Sequence, residues 1–197
     1  MDKTKILSLV FFVVAIGLAF YLVWSIRFSI NEKERIARME DDIVEQLMMI
    51  REAETAYLSV NGQYTSDWAN LKAFIDSGSF FITEKTETVF QLPYGADSIS
   101  VSIDTLGQVS VKDSLFTAAK WPRFNLETLE FVPGVDPQTK FLLWADRITK
   151  GGVEVNVIEV VNPRPVDPNR DEESEYNTRK PLRFGSRTSV TTAGNWE

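Results

Sequence analysis

Four oxygen-bearing side chains near the end of the chain stand at every second position and could together bind a cation. They are Asp167, Asn169, Asp171 and Glu173. On a curled loop, side chains with this spacing can converge, and carboxylate and amide oxygens are ligands that Ca²⁺ takes in an EF-hand. Glu172 occupies the position where that loop needs glycine, and Thr178 stands where it needs a bidentate glutamate. A solvated acidic loop therefore accounts for this segment more simply, and calcium stays the alternative.

The remaining residues form no pattern typical of catalysis. The chain has no histidine and no cysteine, so it lacks the commonest general base and the thiolate metal ligands. Two acids can hydrolyse glycosides if one is desolvated, but Asp41 and Asp42 lie on a charged helical face. Asp104 and Asp113 bracket a predicted hairpin. We therefore expect no enzyme, and no cofactor apart from the calcium candidate.

The charge balance bears on the class of partner. With 28 Asp and Glu against 21 Lys and Arg, the net charge is −7. A surface that binds nucleic acid needs a basic stripe to contact the phosphates, and the sequence shows none. We therefore expect lipid and protein partners, and no nucleic acid.

An N-terminal apolar run must hold the rest of the chain in place. Residues 6–26 carry no charged side chain, and a helix of this length spans about 30 Å, the thickness of a bilayer's hydrocarbon core. Tyr21 and Trp24 stand near its downstream end, where aromatic rings favour the headgroup layer, and Arg27 follows. A cleavable signal has a shorter apolar region and a small-x-small site, whereas this run ends in bulky residues. The sequence thus predicts a permanent membrane-spanning helix.

The orientation of this helix does not follow from charge alone. More basic residues follow it than precede it, which by itself favours the cytoplasm for the downstream side. The short lead, residues 1–5, is nevertheless typical of an uncleaved signal-anchor. We expect this lead to be a cytoplasmic tail and the soluble domain to lie on the opposite side.

Residues 27–61 continue as a predicted helical stalk. Apolar side chains recur there at three- and four-residue steps with charged residues between them, and no Pro or Gly interrupts them. The stripe consists of Ile36, Met39, Ile43, Leu47, Ile50, Ala53 and Tyr57. Asn61-Gly62 is the expected signature of a left-handed C-terminal cap. The span and the stalk are therefore predicted to form one rod.

Part of this stripe is a candidate for contact with a partner helix. Residues 36, 43, 50 and 57 are seven apart, which is typical of a coiled coil, although Gln46 interrupts the seam. We predict that residues 47–60 pack on the chain's own sheet. For the part beside the membrane, we predict contact with another envelope protein or a further copy of the chain through Ile36, Met39 and Ile43.

Residues 50–65, IREAETAYLSVNGQYT, followed by LKAF at 71–74, resemble the segment of type IV pilins and type II secretion pseudopilins in which the long helix ends. In those proteins a last turn with alanine and tyrosine meets a cap, and a short helix with a leucine follows. The resemblance implies an α+β fold in which a transmembrane helix continues into a long amphipathic helix packed on an antiparallel sheet. It also implies a structural role and, in some members, a calcium site in a loop after the strands.

The apolar segment differs from that of pilins. Pilins have a basic leader that ends in glycine and a glutamate five residues into the apolar run, and this chain has neither. The resemblance therefore does not extend to cleavage by a prepilin peptidase or to assembly into a helical filament. We interpret the span as a plain anchor.

Downstream of the cap the sequence predicts a short helix and then strands. Thr65-Ser66-Asp67 offers N-caps for a helix that ends at Ser77-Gly78, and from Ser79 the period changes from about 3.6 to 2. We predict a strand at 89–92, a hairpin that turns at 104–107, and a second hairpin over 140–161 joined near Gly151-Gly152. Together they would form one antiparallel sheet of about four to six strands.

The chain closes with a segment of different composition. Residues 162–175 are rich in proline and acidic residues, which predicts an exposed loop or a partner-binding arm. Residues 182–197 regain some apolar pattern and are predicted to dock as an edge strand. Trp196 is too large to leave in water, so it either packs on this domain or contacts another protein. Both interpretations stay open.

These predictions combine into an organisation and a function. We expect a cytoplasmic tail (1–5), a transmembrane helix (6–26), a stalk (27–61), an extracytoplasmic α+β domain (62–161) and a C-terminal loop and tail (162–197). The expected function is that of a structural subunit of a bacterial envelope assembly for secretion, motility or a surface appendage, anchored in the inner membrane with its domain in the periplasm. The alternative is a membrane-tethered ligand-sensing or substrate-binding domain, which a pocket lined by Trp68, Trp121 or Trp144 would favour.

Overall fold

The elements of the protein come from a computed structural model, which describes residues 3–91, 97–170 and 179–197. In chain order they are α1 (Lys3–Asn61), α2 (Trp68–Ser77), β1 (Ser79–Gln91), β2 (Asp97–Ser110), α3 (Val111–Leu115), β3 (Leu142–Lys150), β4 (Val153–Val161), a 3-10 turn (Pro168–Arg170) and β5 (Arg183–Gly185). The architecture is α+β, with a long N-terminal helix and small antiparallel sheets. This is the coarse layout that the sequence predicts.

The predicted rod is a single helix. α1 is 59 residues long, which is about 88 Å at 1.5 Å per residue, and it joins the apolar run to the stalk without a break. Gly62 follows it with a φ of +71°, and the Gly62 N–H donates to the Leu58 carbonyl oxygen at 2.8 Å. The left-handed cap that Asn61-Gly62 predicts is therefore confirmed.

The first part of α1 is exposed and apolar. Every side chain from residue 11 to residue 30 is exposed, and an 18-residue window of the helix has a mean hydropathy of 2.0 with none of it buried. Among the described residues, α1 is the one helix that is long and apolar enough to cross a membrane. It is compatible with a membrane anchor or a signal sequence.

The second part of α1 lies in the core of the domain. Ile43, Leu47, Ile50 and Ala53 are fully buried, and their spacing puts them on one face of the helix. They share one hydrophobic cluster with residues of α2 and of the sheet that contains Phe184. The prediction that the lower stalk packs on its own domain is therefore confirmed.

α2 begins and ends where the sequence predicts. Asp67 is its N-cap, and the Asp67 carboxylate accepts a hydrogen bond from the Ala69 N–H at 2.9 Å. Leu71 and Ile75 are buried. At the end of α1, the ring of Tyr57 meets that of Phe74 edge-on with centroids 5.1 Å apart. α2 thus covers the last turns of the rod.

β1 and β2 form one long hairpin. β1 pairs antiparallel with β2 along its whole length, from Ser79 opposite Ser110 to Gln91 opposite Asp97. Residues 89–91 of the strand expected at 89–92 are thus the end of the longer strand β1. Residues 92–96, where the sequence places a Pro-Tyr-Gly turn, lie outside the described residues.

The hairpin turn predicted at 104–107 is wrong. These residues lie inside β2, where Gly107 pairs with Ile82 beside a shift of register that leaves Leu106 without an opposite residue. Glycine within a strand is typical of such a bulge. The acid and glycine that suggested a turn therefore lie at a bulge within a continuous strand.

β3, β4 and β5 form a second antiparallel sheet in that order. The β3–β4 hairpin turns at Gly151 and Gly152, whose φ values of +61° and +82° suit a two-residue type I′ turn. This hairpin is therefore confirmed. β5 pairs with β4, which confirms the edge strand expected in residues 182–197. In the described part of the chain the strands thus form two sheets, and the single larger sheet that we expected is wrong.

Candidate functional site

A cluster of aromatic rings marks the downstream end of the exposed apolar helix. The Trp24 ring lies between those of Tyr21 and Phe28, with centroid distances of 6.5 and 5.9 Å. Their three- and four-residue spacing puts the rings on one side of α1, and aromatic rings in this position are typical of a membrane–water interface. The sequence interpretation missed Phe28 because it follows Arg27, beyond the apolar run.

A short exposed stretch of α1 separates this cluster from the domain. Glu34 and Arg38 form the ion pair that their spacing predicts, at 3.2 Å. The helix has reached the domain by Met39, because a Cβ atom on Gly134 would lie 3.0 Å from the Met39 Cε. From Phe28 to Met39 the helix rises about 17 Å. The domain is therefore held at a set distance from the aromatic cluster.

The three stalk residues expected at a partner interface lie in different environments. Ile36 and Met39 are half-buried, and Met39 lies against Gly134. Ile43 is fully buried in the hydrophobic core, so the structure corrects its predicted role: its neighbours belong to its own domain. The reason is that Leu129 and Val132, which lie between α3 and β3, belong to the same hydrophobic cluster as Ile43, and Val135 packs against it. The stripe alone does not indicate this packing.

Charged residues on α1 form ion pairs with the loop between α3 and β3. Arg123 forms ion pairs with Asp42 and Glu45, and Lys120 pairs with Glu52. Exposed pairs of this kind contribute little to stability, because water and salt screen them. Their role is to fix how α1 is rotated within the domain. This position also explains Asp42 without any catalytic function.

Gln46, which interrupts the coiled-coil seam, binds the same loop from closer to the core. Its side-chain amide nitrogen lies 2.7, 3.0 and 2.8 Å from the carbonyl oxygens of Thr128, Leu129 and Phe131, which share its two N–H donors. These bonds tie a stretch without regular structure to the helix. A polar residue that the heptad pattern cannot explain is thus required by the tertiary fold.

Replacing Gln46 with Glu is expected to lower the free energy of unfolding by about 2–3 kcal/mol, because a carboxylate would face three carbonyl oxygens and the donor would be lost. Gln63→Glu is the matched control, since the Gln63 side chain accepts from Arg147 Nη2 at 3.1 Å and a carboxylate can still accept. Urea unfolding followed by tryptophan fluorescence gives both values. Equal losses in the two variants would contradict this role of Gln46.

Glu54 is an acid buried within the apolar face of α1. It is 0% exposed, and its Oε2 accepts from the Thr65 N–H at 3.1 Å. Oε1 has no hydrogen-bond partner in the described part of the protein. Burial raises the pKa of Glu54 from 4.5 to about 8, and the Thr65 hydrogen bond opposes this only in part. Glu54 is therefore mostly protonated at neutral pH.

Glu54 lies beside Tyr64 and Thr65, in the loop that follows the cap of α1. Burial, and after it the charge of Glu54, raises the pKa of Tyr64, and the bond from Thr65 fixes the loop to the helix. The sequence interpretation missed Glu54 because it stands among other charged residues. The available signal was its position four residues after Ile50, which puts it beside the buried stripe.

A groove of about 660 Å³ lies beside α1, between the base of β1 and the C-terminal segment. Its lining includes Met48, Ala56, Phe80, Leu115, Trp121 and Thr192. The Trp121 indole N–H donates to Glu52 at 3.1 Å, which fixes the ring. The volume lies within the range of about 300–1,000 Å³ that small-molecule sites occupy. Trp121 is one of the three tryptophans that the sequence singled out for a pocket.

The calcium candidates are only partly within the described residues. Asp167 is buried, and its Oδ1 accepts from the Asn169 N–H at 2.9 Å and from the Asn169 side-chain amide at 2.8 Å. Asp171 and Glu173 lie outside the described residues. Among the residues that are described, no group of three or more acidic side chains could hold a metal ion. Calcium binding by this segment stays a prediction.

Trp196 packs on its own domain. It is half-buried against the hydrophobic core, and the Arg51 guanidinium lies 5.8 Å from the centroid of its ring. Arg51 also pairs with Glu197. Of the two interpretations left open for Trp196, the structure shows the first, and its exposed part remains accessible to another protein.

Comparisons of the chain with protein-family models, with curated proteins and with solved structures found no match. The geometry therefore defines the class of protein. It is an α+β domain whose core is built around one end of a helix, and the other end of that helix is long and apolar enough to cross a membrane.

Proposed function

We propose that the protein is a membrane-anchored structural or scaffolding subunit of a bacterial cell-envelope assembly. The apolar part of α1 lies in the inner membrane and the domain lies in the periplasm. Its action is geometric: the anchor fixes the position, the helix sets the distance, and exposed surfaces bind other envelope proteins or further copies. The resemblance to pilins and pseudopilins favours a secretion, motility or surface-appendage machinery.

One observation carries this proposal. A single helix is exposed and apolar at one end and buried at the centre of a folded domain at the other. Such a helix gives the domain a defined height and orientation. A rise of about 17 Å from the aromatic cluster to Met39 exceeds the thickness of one headgroup layer, about 5–8 Å. The domain is thus held clear of the membrane.

Full-length protein in mild detergent is expected to elute with partners or as an oligomer of the 22.4 kDa chain. Breaking the rod outside the domain should separate the domain from other envelope proteins that are bound at a fixed height. Glu34→Pro does so, because proline in a helix interior costs about 3 kcal/mol. We expect these partners to be lost while the thermal unfolding of the domain is unchanged. Light scattering and mass spectrometry of co-purifying proteins measure the first effect.

Glu34→Ala is the control, since it removes the same side chain and keeps the helix. It should assemble like the wild-type protein. A wild-type chain that is strictly monomeric and free of partners would contradict the scaffold function, as would a Glu34→Pro variant that keeps all its envelope partners.

The groove beside Trp121 favours a second candidate, a membrane-tethered ligand-binding domain. The same detergent preparation distinguishes the two. A small molecule that co-purifies with the wild-type chain and is lost from a Trp121→Ala variant would favour ligand binding. An empty groove together with a stable protein complex would favour the scaffold.

A further inference from the structure

Among the described residues, no strand pairs with either outer edge of the β1–β2 hairpin, which we call the arm. β1 is a regular 13-residue strand, and in the described part of the chain its sheet has only two strands. A two-stranded ribbon is marginally stable in water by itself, and an unpaired edge is a template for another strand. The arm is therefore suited to pair with a strand of another chain.

Large apolar side chains of the arm are in water. Phe81, Val89 and Val101 are 69%, 61% and 49% exposed. Phe81 and Val89 are an even number of residues apart in β1, and Val101 pairs with Glu87, so all three lie on one face of the ribbon. Lys85 and Glu87 of β1 occupy the same face by the period of two, so this face combines apolar side chains with one charge of each sign.

The two edges of the arm are not equivalent. The β2 edge is interrupted at Leu106 and Gly107, where the register shifts, and a bulge blunts an edge against pairing. The charged residues of β2 are Asp97 and Asp104, so two β2 strands side by side have no basic partner for either acid. β1 has no such interruption within it and carries both signs of charge. The β1 edge is thus the better template.

The sequence of β1 is complementary to itself when two copies run antiparallel. Residues 82–90 read ITEKTETVF, with Thr86 at the centre. If two copies of β1 pair antiparallel about Thr86, Lys85 of each copy stands opposite Glu87 of the other. Ile82 then stands opposite Phe90, and Thr83 opposite Val89. Opposite charges and aromatic–aliphatic pairs stabilise such cross-strand positions. Any shift of register by two residues removes these charge pairs.

We infer that the β1 edge is a self-association surface, and that two copies of the chain pair there antiparallel about Thr86 to form a four-stranded β2–β1–β1–β2 sheet. The two-fold axis passes through Thr86, so the interface is isologous and closes as a dimer. Because directly opposite residues lie on one face of an antiparallel pair, the exposed apolar faces of the two arms become one surface. This inference specifies the contact between further copies that the proposed function includes, and it rests on that function.

Cysteine cross-linking tests the register directly. The chain has no cysteine, so a Thr86→Cys variant carries one thiol, and in the dimer the two thiols are directly opposite each other. Full-length Thr86→Cys in detergent is oxidised mildly or treated with a short bis-maleimide. It is expected to form a covalent dimer at least about tenfold faster than a Ser102→Cys control, because paired thiols have a high effective concentration. Ser102 lies on β2 opposite Thr86 and is also exposed, but in the dimer it lies on the outer strand.

Charge exchange provides a second test. Lys85→Glu puts two acids opposite each other at both symmetric positions, and we expect the dissociation constant of the dimer to rise about tenfold. The double variant Lys85→Glu/Glu87→Lys restores opposite charges and is expected to return to the wild-type value. Analytical ultracentrifugation measures all three proteins. Circular dichroism checks that the arm is folded in each of them.

The possible failures are distinguishable. Cross-linking at position 86 no faster than at position 102, or a double variant that stays as weak as Lys85→Glu, overturns pairing about Thr86. If the wild-type chain is nevertheless found in a complex, the scaffold function stands without this contact. A chain that is monomeric and free of partners in every preparation overturns both.

Discussion

The Glu54→Gln variant is expected to lose most of the pH dependence of the domain's stability. In the folded protein the pKa of Glu54 is about 8, against 4.5 for an ordinary glutamate, so the folded state holds a proton that the unfolded chain releases. The stability from this group is fully present below about pH 4.5 and is lost as the pH rises through about 8. The total is on the order of 3–5 kcal/mol.

Urea unfolding of the full-length protein in detergent gives the free energy of unfolding at each pH. From about pH 5 to about pH 9 the wild-type protein should become less stable, because unfolding then allows Glu54 to ionise in water. Glu54→Gln cannot ionise, so its stability should change much less, and near the upper end of that range it should exceed that of the wild type.

Glu127→Gln is the matched control, because Glu127 is exposed on a loop. It should follow the wild-type pH profile. Two results would contradict a raised pKa for a buried Glu54. One is a wild-type stability that is constant or rises over this range, and the other is a Glu54→Gln variant with the wild-type pH dependence.

Gly185→Ala is expected to lower the free energy of unfolding by about 3–5 kcal/mol, from backbone strain and overpacking together. Gly185 ends β5 with a φ of +80°, which an alanine adopts only at a cost. A Cβ atom there would overlap the Ile158 carbonyl oxygen and lie 2.9 Å from its carbonyl carbon. That carbonyl accepts the Ser186 N–H at 2.8 Å, so the new methyl group would separate β5 from β4.

Gly151→Ala separates the two causes. Gly151 also has a positive φ, +61°, but a Cβ atom there would meet nothing within 4 Å. Only the backbone term applies, and we expect a loss of about 1–2 kcal/mol. Chemical denaturation of the three proteins measures the difference. Equal losses would show that β5 does not approach β4 as closely as described.

Elements whose cause is local could be predicted from the sequence. α1 follows from apolar residues at helical spacing and from the absence of Pro and Gly, and it ends at Asn61-Gly62 because glycine adopts a positive φ. The turn at Gly151-Gly152 has the same cause. In each case the residues that determine the conformation are neighbours in the chain.

The arm shows where local chemistry is insufficient. Residues 104–107 contain an acid and a glycine, which suit a turn and a bulge equally well. The choice depends on whether a long enough strand pairs with them, and β1 supplies that strand from residues far away in the chain. The two separate sheets could not be predicted for the same reason, since alternating residues identify a strand but not its partner.

The candidate site divides in the same way. A helical stripe has the same period whether its own domain or another protein covers it, so the sequence placed Ile43 at a partner interface and the fold buries it in the core. Gln46 and Glu54 look like ordinary polar residues of an exposed helix in the sequence. Their roles come from a loop and a cap that meet them only in the folded chain.

What the sequence determined by itself is therefore the rod: a helix apolar enough for a membrane at one end and amphipathic at the other, because helical period and hydropathy are properties of neighbouring residues. Only the tertiary structure decided which residues of that helix are buried and which acid is removed from water. It also decided that β1 and β2 form an arm whose outer edges are unpaired among the described residues. These outcomes depend on contacts between distant segments, whose burial and pairing energies no local pattern contains.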